Sequence, residues 1–161
     1  MARPIWSRVA GLRGRTWRDC DGRSKISSWY SRNDFWPFGL NHLTAMQFEE
    51  VRFCVLVEGE MDCLSVWLAG LPCVASSKSS IGRYQAEQLA GKVDTCLIWP
   101  DADAAGAKGA ETSANLLTSL GVGVKLLDPT VFPDAKDAND ALREYGPSTI
   151  LYEVERVILG T

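Results

Sequence analysis

The apolar run Cys96-Leu97-Ile98-Trp99-Pro100 ends in two carboxylates, Asp101 and Asp103, and then opens into an Ala-rich stretch through Gly106. Such a run, followed at once by acids and a helical pattern, describes a buried strand that delivers charge to the rim of a parallel sheet. A second run, Phe53-Cys54-Val55-Leu56-Val57, leads in the same way into Glu58-Gly59-Glu60-Met61-Asp62. Two strands that aim carboxylates at one edge build an oxygen-rich site suited to Mg2+. That ion usually takes one or two carboxylates beside substrate phosphates.

The remaining pattern alternates strand and helix. Helical stretches are expected from about Glu60 to Gly70, with Met61, Leu64, Val66 and Leu68 as apolar contacts, from Arg83 to Ala90, and from about Ala104 to Leu120, stopping at Gly121. Pro72–Ala75, Thr95–Trp99 and Val122–Leu127 read as further strands. Ala138–Tyr145 reads as a helix, and Pro147 can start another at its first turn. Strands separated by helices of this length predict an α/β fold of about four mostly parallel strands flanked by helices. Before it, residues 1–50 form a small basic β-rich extension, with Asp21-Gly22 as a hairpin turn between Arg15–Arg18 and Lys25–Tyr30.

Charge is unevenly spread. Residues 1–33 hold eight basic side chains and two acids, whereas the rest of the chain holds nine basic and eighteen acidic ones. A basic arm on an acidic body suits an anionic partner for the arm, and an acidic body acting on phosphates requires metal ions. Five cysteines (Cys20, Cys54, Cys63, Cys73, Cys96) lie far apart without C-x-x-C spacing, and His42 is the only histidine, which argues against a zinc site within the chain. Buried free thiols in or beside strands are the expectation, and with them a reducing compartment. No apolar run reaches the length of a membrane span and no secretory pattern opens the chain, so neither membrane insertion nor secretion is expected. A cytoplasmic setting fits, with a mitochondrion or plastid as the alternative because the start is rich in Arg.

Three motifs stand in order: Val57-Glu58-Gly59-Glu60-Met61-Asp62-Cys63-Leu64-Ser65, then Asp101-x-Asp103-x-x-Gly106, then Lys136-Asp137-Ala138-Asn139-Asp140-Ala141-Leu142. Taken singly, the Asp pair fits helix capping as well as metal binding, and Lys136-Asp137 fits a surface ion pair. Together, over roughly residues 50–158, they resemble the Toprim domain shared by primases, topoisomerases and some nucleases. The Glu-Gly-Glu-x-Asp opening, the Lys-Asp-Ala-Asn closing and Tyr145-Gly146-Pro147 look closest to the primase half of phage-type primase–helicases and their Twinkle-like organellar relatives.

The resemblance implies a Toprim-type, Rossmann-like fold over residues 51–161 with specific roles. Glu58 would bind metal or act as general base on the attacking 3′-hydroxyl, and Asp101 and Asp103 would complete the metal set. Lys136 would act near triphosphate or template backbone with Asp137 orienting it, and Gly59 and Gly106 would allow close backbone approach. Relatives usually carry a Gly-containing turn where this chain has Ser76-Ser77-Lys78-Ser79-Ser80, which makes Lys78 a candidate phosphate contact.

The implied activity is that of a DNA primase domain in DNA replication: Mg2+-dependent synthesis of short RNA primers from ribonucleoside triphosphates on single-stranded DNA, with Mn2+ able to substitute. No G-x-x-x-x-G-K-[ST] motif occurs, so a replicative helicase would act in trans or through a missing C-terminal part. Two alternatives remain: a small metal-dependent Toprim nuclease, and a non-catalytic DNA-binding or docking module of a replisome.

Overall fold

Each apolar run that ends in an acid becomes a strand of one parallel sheet. The computed structural model describes residues 11–15, 26–31, 37–45 and 52–160. After a hairpin of β1 (Gly11–Arg15) and β2 (Ile26–Ser31) and a short helix α1 (Leu40–Ala45), the chain runs β3 (Phe53–Val57), α2 (Glu60–Leu68), β4 (Cys73–Ala75), α3 (Arg83–Ala90) and β5 (Thr95–Ile98). It continues through α4 (Ala104–Ser119), β6 (Gly123–Leu126), a 3-10 turn (Pro129–Val131), α5 (Ala138–Tyr145) and α6 (Pro147–Leu159). The sheet order is β4-β3-β5-β6 and all three pairings are parallel. This is the expected α/β architecture, with element ends moved by a residue or two.

Successive residues of β3 face opposite sides, as a pleated strand requires. Val55 and Val57 pack with Leu97, Trp99 and Phe132 beneath α2, α5 and α6, which contribute Val66, Ala141 and Ile150. Cys54 and Leu56 pack with Ile98 beneath α3 and α4, which contribute Leu89 and Leu117. A strand buried on both faces reads as a continuous apolar run, which is why these runs show no alternation. Trp99 stacks on Phe132 with ring centroids 5.2 Å apart, closing the core beneath the rim. Cys54, Cys63, Cys73 and Cys96 are buried and free, as expected, while Cys20 lies outside the described residues. Phe38 covers the open edge of β4, exchanging backbone hydrogen bonds of 2.9 and 3.0 Å with Ala75.

Two expectations change. In α2 only Val66 of the four apolar positions turns inward; Met61, Leu64 and Leu68 are exposed, Leu68 by 73%. The inward face instead carries Cys63, Val66 and Ala69, and the buried polar residues Asp62 and Ser65 face α5. Hydrogen bonding across α2 and α5, rather than apolar content alone, sets the helix's rotation. The hairpin also differs. β1 ends at Arg15, which pairs with Ile26, whereas the expected strand began at Arg15; residues 16–18 lie outside the described residues. Strand choice follows pairing context more than local composition. The Asp21-Gly22 turn lies outside the described residues.

Lys125 on edge strand β6 reaches the end of α6, where its Nζ donates to the carbonyls of Val157 and Ile158 at 2.7 and 2.8 Å. A cation at a helix C-terminus satisfies carbonyls that the helix leaves unpaired. Lys125→Met, which keeps the aliphatic stem, is expected to lower unfolding free energy by about 1 kcal/mol in urea titrations. Among the described residues no helix is long and apolar enough to cross a membrane.

Candidate functional site

The strand order places a topological switch between β3 and β5. Helix α2 carries the chain from β3 to β4 over one face, and α3 returns it past β3 to β5 over the other. Open α/β sheets bind ligands in the crevice at the carboxyl ends of strands at such a point. Glu58 directly follows β3, and Asp101 follows Trp99 and Pro100 at the end of β5. The strands stay paired up to the rim, where the Trp99 N–H donates to the Leu56 carbonyl at 2.9 Å.

Two hydrogen-bonded loops bring the third motif to the same edge. The Ala102 N–H donates to the Lys136 carbonyl at 2.8 Å, joining the loop that holds Asp101 and Asp103 to the one that holds Lys136 and Asp137. Asp137 caps α5 by accepting from the Asp140 N–H at 2.8 Å, and Asp103 caps α4 by accepting from the Gly106 N–H at 2.7 Å. Asp103 therefore has the capping role that its position after a strand allows, at the same rim as Asp101. Exposed Lys136 lies 3.8 Å from an Asp137 oxygen and 3.7 Å from an Asp140 oxygen.

The carboxylates perturb one another. Burial, then repulsion from Glu58, Asp62, Asp137 and Asp103, pushes Asp101 from an ordinary 3.8 up to about 7. Burial also raises Glu58; the Asp101 backbone N–H works against that rise, and Asp103 and Asp62 add to it. Burial raises Asp62, opposed by the Asn139 N–H, which donates to it at 3.0 Å. Glu58, Asp101, Asp103 and Asp137 thus share one rim, as the sequence predicts. Asp62, a site acid that the sequence reading gave no role, joins them from the first turn of α2. Its signal was a carboxylate one helical turn beyond Glu58, on the side that faces the N-terminus of α5.

Glycine makes the rim possible at two positions. A Cβ at Gly106 would lie 2.3 Å from the Asp101 carbonyl oxygen, and one at Gly59 would lie 2.5 Å from the Asp62 carboxylate. At Gly106 the close approach is to backbone, and at Gly59 it is to a side chain. The Ser76–Ser80 loop keeps the bend that a glycine turn would supply, because Ser77 itself adopts φ +62°. Exposed Lys78 follows it at the same edge.

Among the described residues no three His, Cys, Asp or Glu side chains converge into a ready-made cage. Mg2+ does not need one, since waters and substrate phosphates commonly complete its shell. Glu58 Oε1 is shielded from solvent and has no hydrogen-bond partner, and it stands beside a second carboxylate that repels it. An oxygen-only donor pair with an orphaned atom and excess negative charge fits a hard divalent cation.

Asp101 also predicts a pH dependence for the metal-free protein. Its folded pKa lies above its unfolded one, so the unfolded state binds fewer protons between the two values, and stability falls as pH rises from about 4 to about 7. Asp101→Asn is expected to flatten that fall and melt higher than the parent at pH 8, as thermal denaturation across pH would show.

The fold and its acid-lined switch point define a Toprim-like α/β domain. Residues 55–142 match the family described as Toprim-like, and the chain belongs to it. It is 37% identical over 93 residues to the DNA primase of Halalkalibacterium halodurans and 30% identical over 105 residues to that of Clostridium acetobutylicum. Those matches take in 57% and 65% of this chain but only 15% and 17% of the relatives, so the chain spans a small part of their length. A DNA primase domain from Pseudomonas aeruginosa superposes with a TM-score of 0.79 at 20% identity, covering 96% of this chain and 49% of that one. The Aquifex aeolicus primase, comprising zinc-binding and RNA polymerase domains, superposes with a TM-score of 0.73 at 25% identity, covering 95% and 37%. The primase fragment of the bacteriophage T7 primase-helicase gives 0.61 at 22% identity, covering 85% and 55%. The sequence relatives are thus bacterial DNA primases, and the likeness to the phage protein is one of fold.

Proposed function

We propose that this chain is the Toprim catalytic domain of a DNA primase, making short RNA primers from ribonucleoside triphosphates on single-stranded DNA. The observation that carries the reading is the placement of Glu58 and Asp101, from different strands, at one switch point where they repel each other. Similarity to bacterial DNA primases over more than half of the chain supports it. Glu58 and Asp101, with Asp103 beside them, would hold Mg2+ or Mn2+. When bound, the metal supplies charge stabilisation for in-line phosphoryl displacement. Glu58 would also take the proton of an attacking hydroxyl, a role helped by the burial that raises its pKa above the ordinary carboxylate value. Lys136, oriented by Asp137 and Asp140, and Lys78 on the neighbouring loop supply positive charge for triphosphate or template phosphates.

The partners that follow are single-stranded template, ribonucleoside triphosphates and a replicative helicase. The phage-type features of the first and third motifs favour close coupling to that helicase, in a cytoplasmic or organellar setting. The test is incubation of the chain with single-stranded DNA, labelled ribonucleotides and Mg2+. Short template-dependent RNA that disappears on chelation is the expected product. Shortening of labelled RNA or DNA without free nucleotides would instead identify a nuclease. Absence of Mg2+ or Mn2+ binding heat at millimolar concentration would identify a docking module.

A further inference from the structure

The Ser76–Ser80 loop between β4 and α3 is fastened at more points than a connection needs. The Ser76 and Ser77 N–H groups donate to the Val57 and Glu58 carbonyls at 3.1 and 2.9 Å, which seats the loop on the end of β3. The buried Gln85 side chain donates to the Ser76 carbonyl at 3.1 Å and accepts from the Gly82 N–H at 2.9 Å. The Ile81 N–H donates to Ser113 Oγ at 3.1 Å, and the Ser76 hydroxyl turns back onto the Lys78 carbonyl. Within this frame Ser77 is, among the described residues, the one non-glycine with a positive φ. That conformation crowds its Cβ against the backbone, and a non-glycine there persists where its surroundings hold it. Its hydroxyl donates to Glu60 Oε1 at 2.6 Å, a short bond to a carboxylate.

We infer that Ser77 is a positioning residue: tied to Glu60, it sets the bend that presents Lys78 beside Glu58, so that Lys78 meets the triphosphate of an incoming nucleotide. The adjacent backbone supports this, because Lys78 is one residue from the hydrogen bond to the Glu58 carbonyl and is exposed at the rim. The inference rests on the proposed reading, in which a ribonucleoside triphosphate occupies that rim.

The experiment measures binding of Mg2+-ATP and Mg2+-GTP by calorimetry, alongside KM and kcat for dinucleotide synthesis and the melting temperature. Ser77→Ala is expected to weaken triphosphate binding by about tenfold or more, the order of one lost hydrogen bond to a charged group, and to raise KM more than it lowers kcat. Ser77→Gly, which relieves the bend but lacks the hydroxyl, should show the same loss of binding. Glu60→Gln, whose amide oxygen still accepts, should restore near-parental binding, whereas Glu60→Ala should match Ser77→Ala. In a Lys78→Ala background, Ser77→Ala should cost nothing further. Parental binding by Ser77→Ala, or an additional loss in the Lys78→Ala background, overturns the inference. A parent that binds triphosphate but makes no primer refutes the proposed function alone, with the binding series still deciding Ser77; a parent that binds no triphosphate overturns both.

Discussion

Glu58→Gln is expected to reduce Mg2+-dependent dinucleotide synthesis on the order of 100-fold or more while the fold persists. Glutamine preserves side-chain volume, so packing against the ends of β3 and β5 is retained. It removes the charge that a hard cation requires. In the metal-free protein that charge is a burden: burial raises the Glu58 pKa, and Asp103 and Asp62 add repulsion. The variant should therefore melt at or above the parental temperature at pH 8, with its new amide N–H donors facing an acid-rich rim. Activity and stability are expected to move in different directions. Steady-state synthesis and thermal denaturation on one preparation test this. Parental synthesis by the variant would remove Glu58 from the reaction, and a lower melting temperature would remove the electrostatic account of the rim.

Gly109→Ala is expected to destabilise the protein by about 1–3 kcal/mol, a melting shift of roughly 2–4 °C per kcal/mol for a chain of this size. Gly109 is in the interior of α4, where alanine would ordinarily add about 1 kcal/mol through helix propensity. Packing opposes that gain. A Cβ at Gly109 would fall 1.9 Å from the Ser79 carbonyl oxygen and 2.7 Å from its carbon, and these are backbone atoms held by the bonds around Ser76–Ser80. Helix and loop must separate, which also shifts Lys78 and lowers synthesis. A rise in melting temperature would mean that propensity outweighs the contact.

The fold was legible because the sheet is parallel and buried on both faces. Phe53–Val57 and Cys96-Leu97-Ile98-Trp99-Pro100 therefore read as unbroken apolar runs, and Glu58 and Asp101 announce their carboxyl ends. Asp103, Gly106, Asp137 and Ala138–Tyr145 were equally visible, since caps and helix starts are local signals. Contacts between distant segments were not. Asp62 meets the Asn139 N–H across 77 residues, and this polar join rotates α2 so that Met61, Leu64 and Leu68 face outward. Nothing in the periodicity of α2 encodes a partner on α5. Gly109 carried a partial signal, a glycine inside an Ala-rich helix, but which segment presses against it is a tertiary fact. Ser77 offered none, as serine is common in turns of every kind.

Titration of Mg2+ into the parent, Glu58→Gln and Asp101→Asn by calorimetry in two buffers of different ionisation heat, near pH 7, tests the joint carboxylate site most directly. The parent should bind the ion and release protons, because Asp101 is still partly protonated there without metal, and each single substitution should weaken binding sharply. Equal affinity in all three proteins, with no proton release, would contradict a shared Glu58–Asp101 metal site.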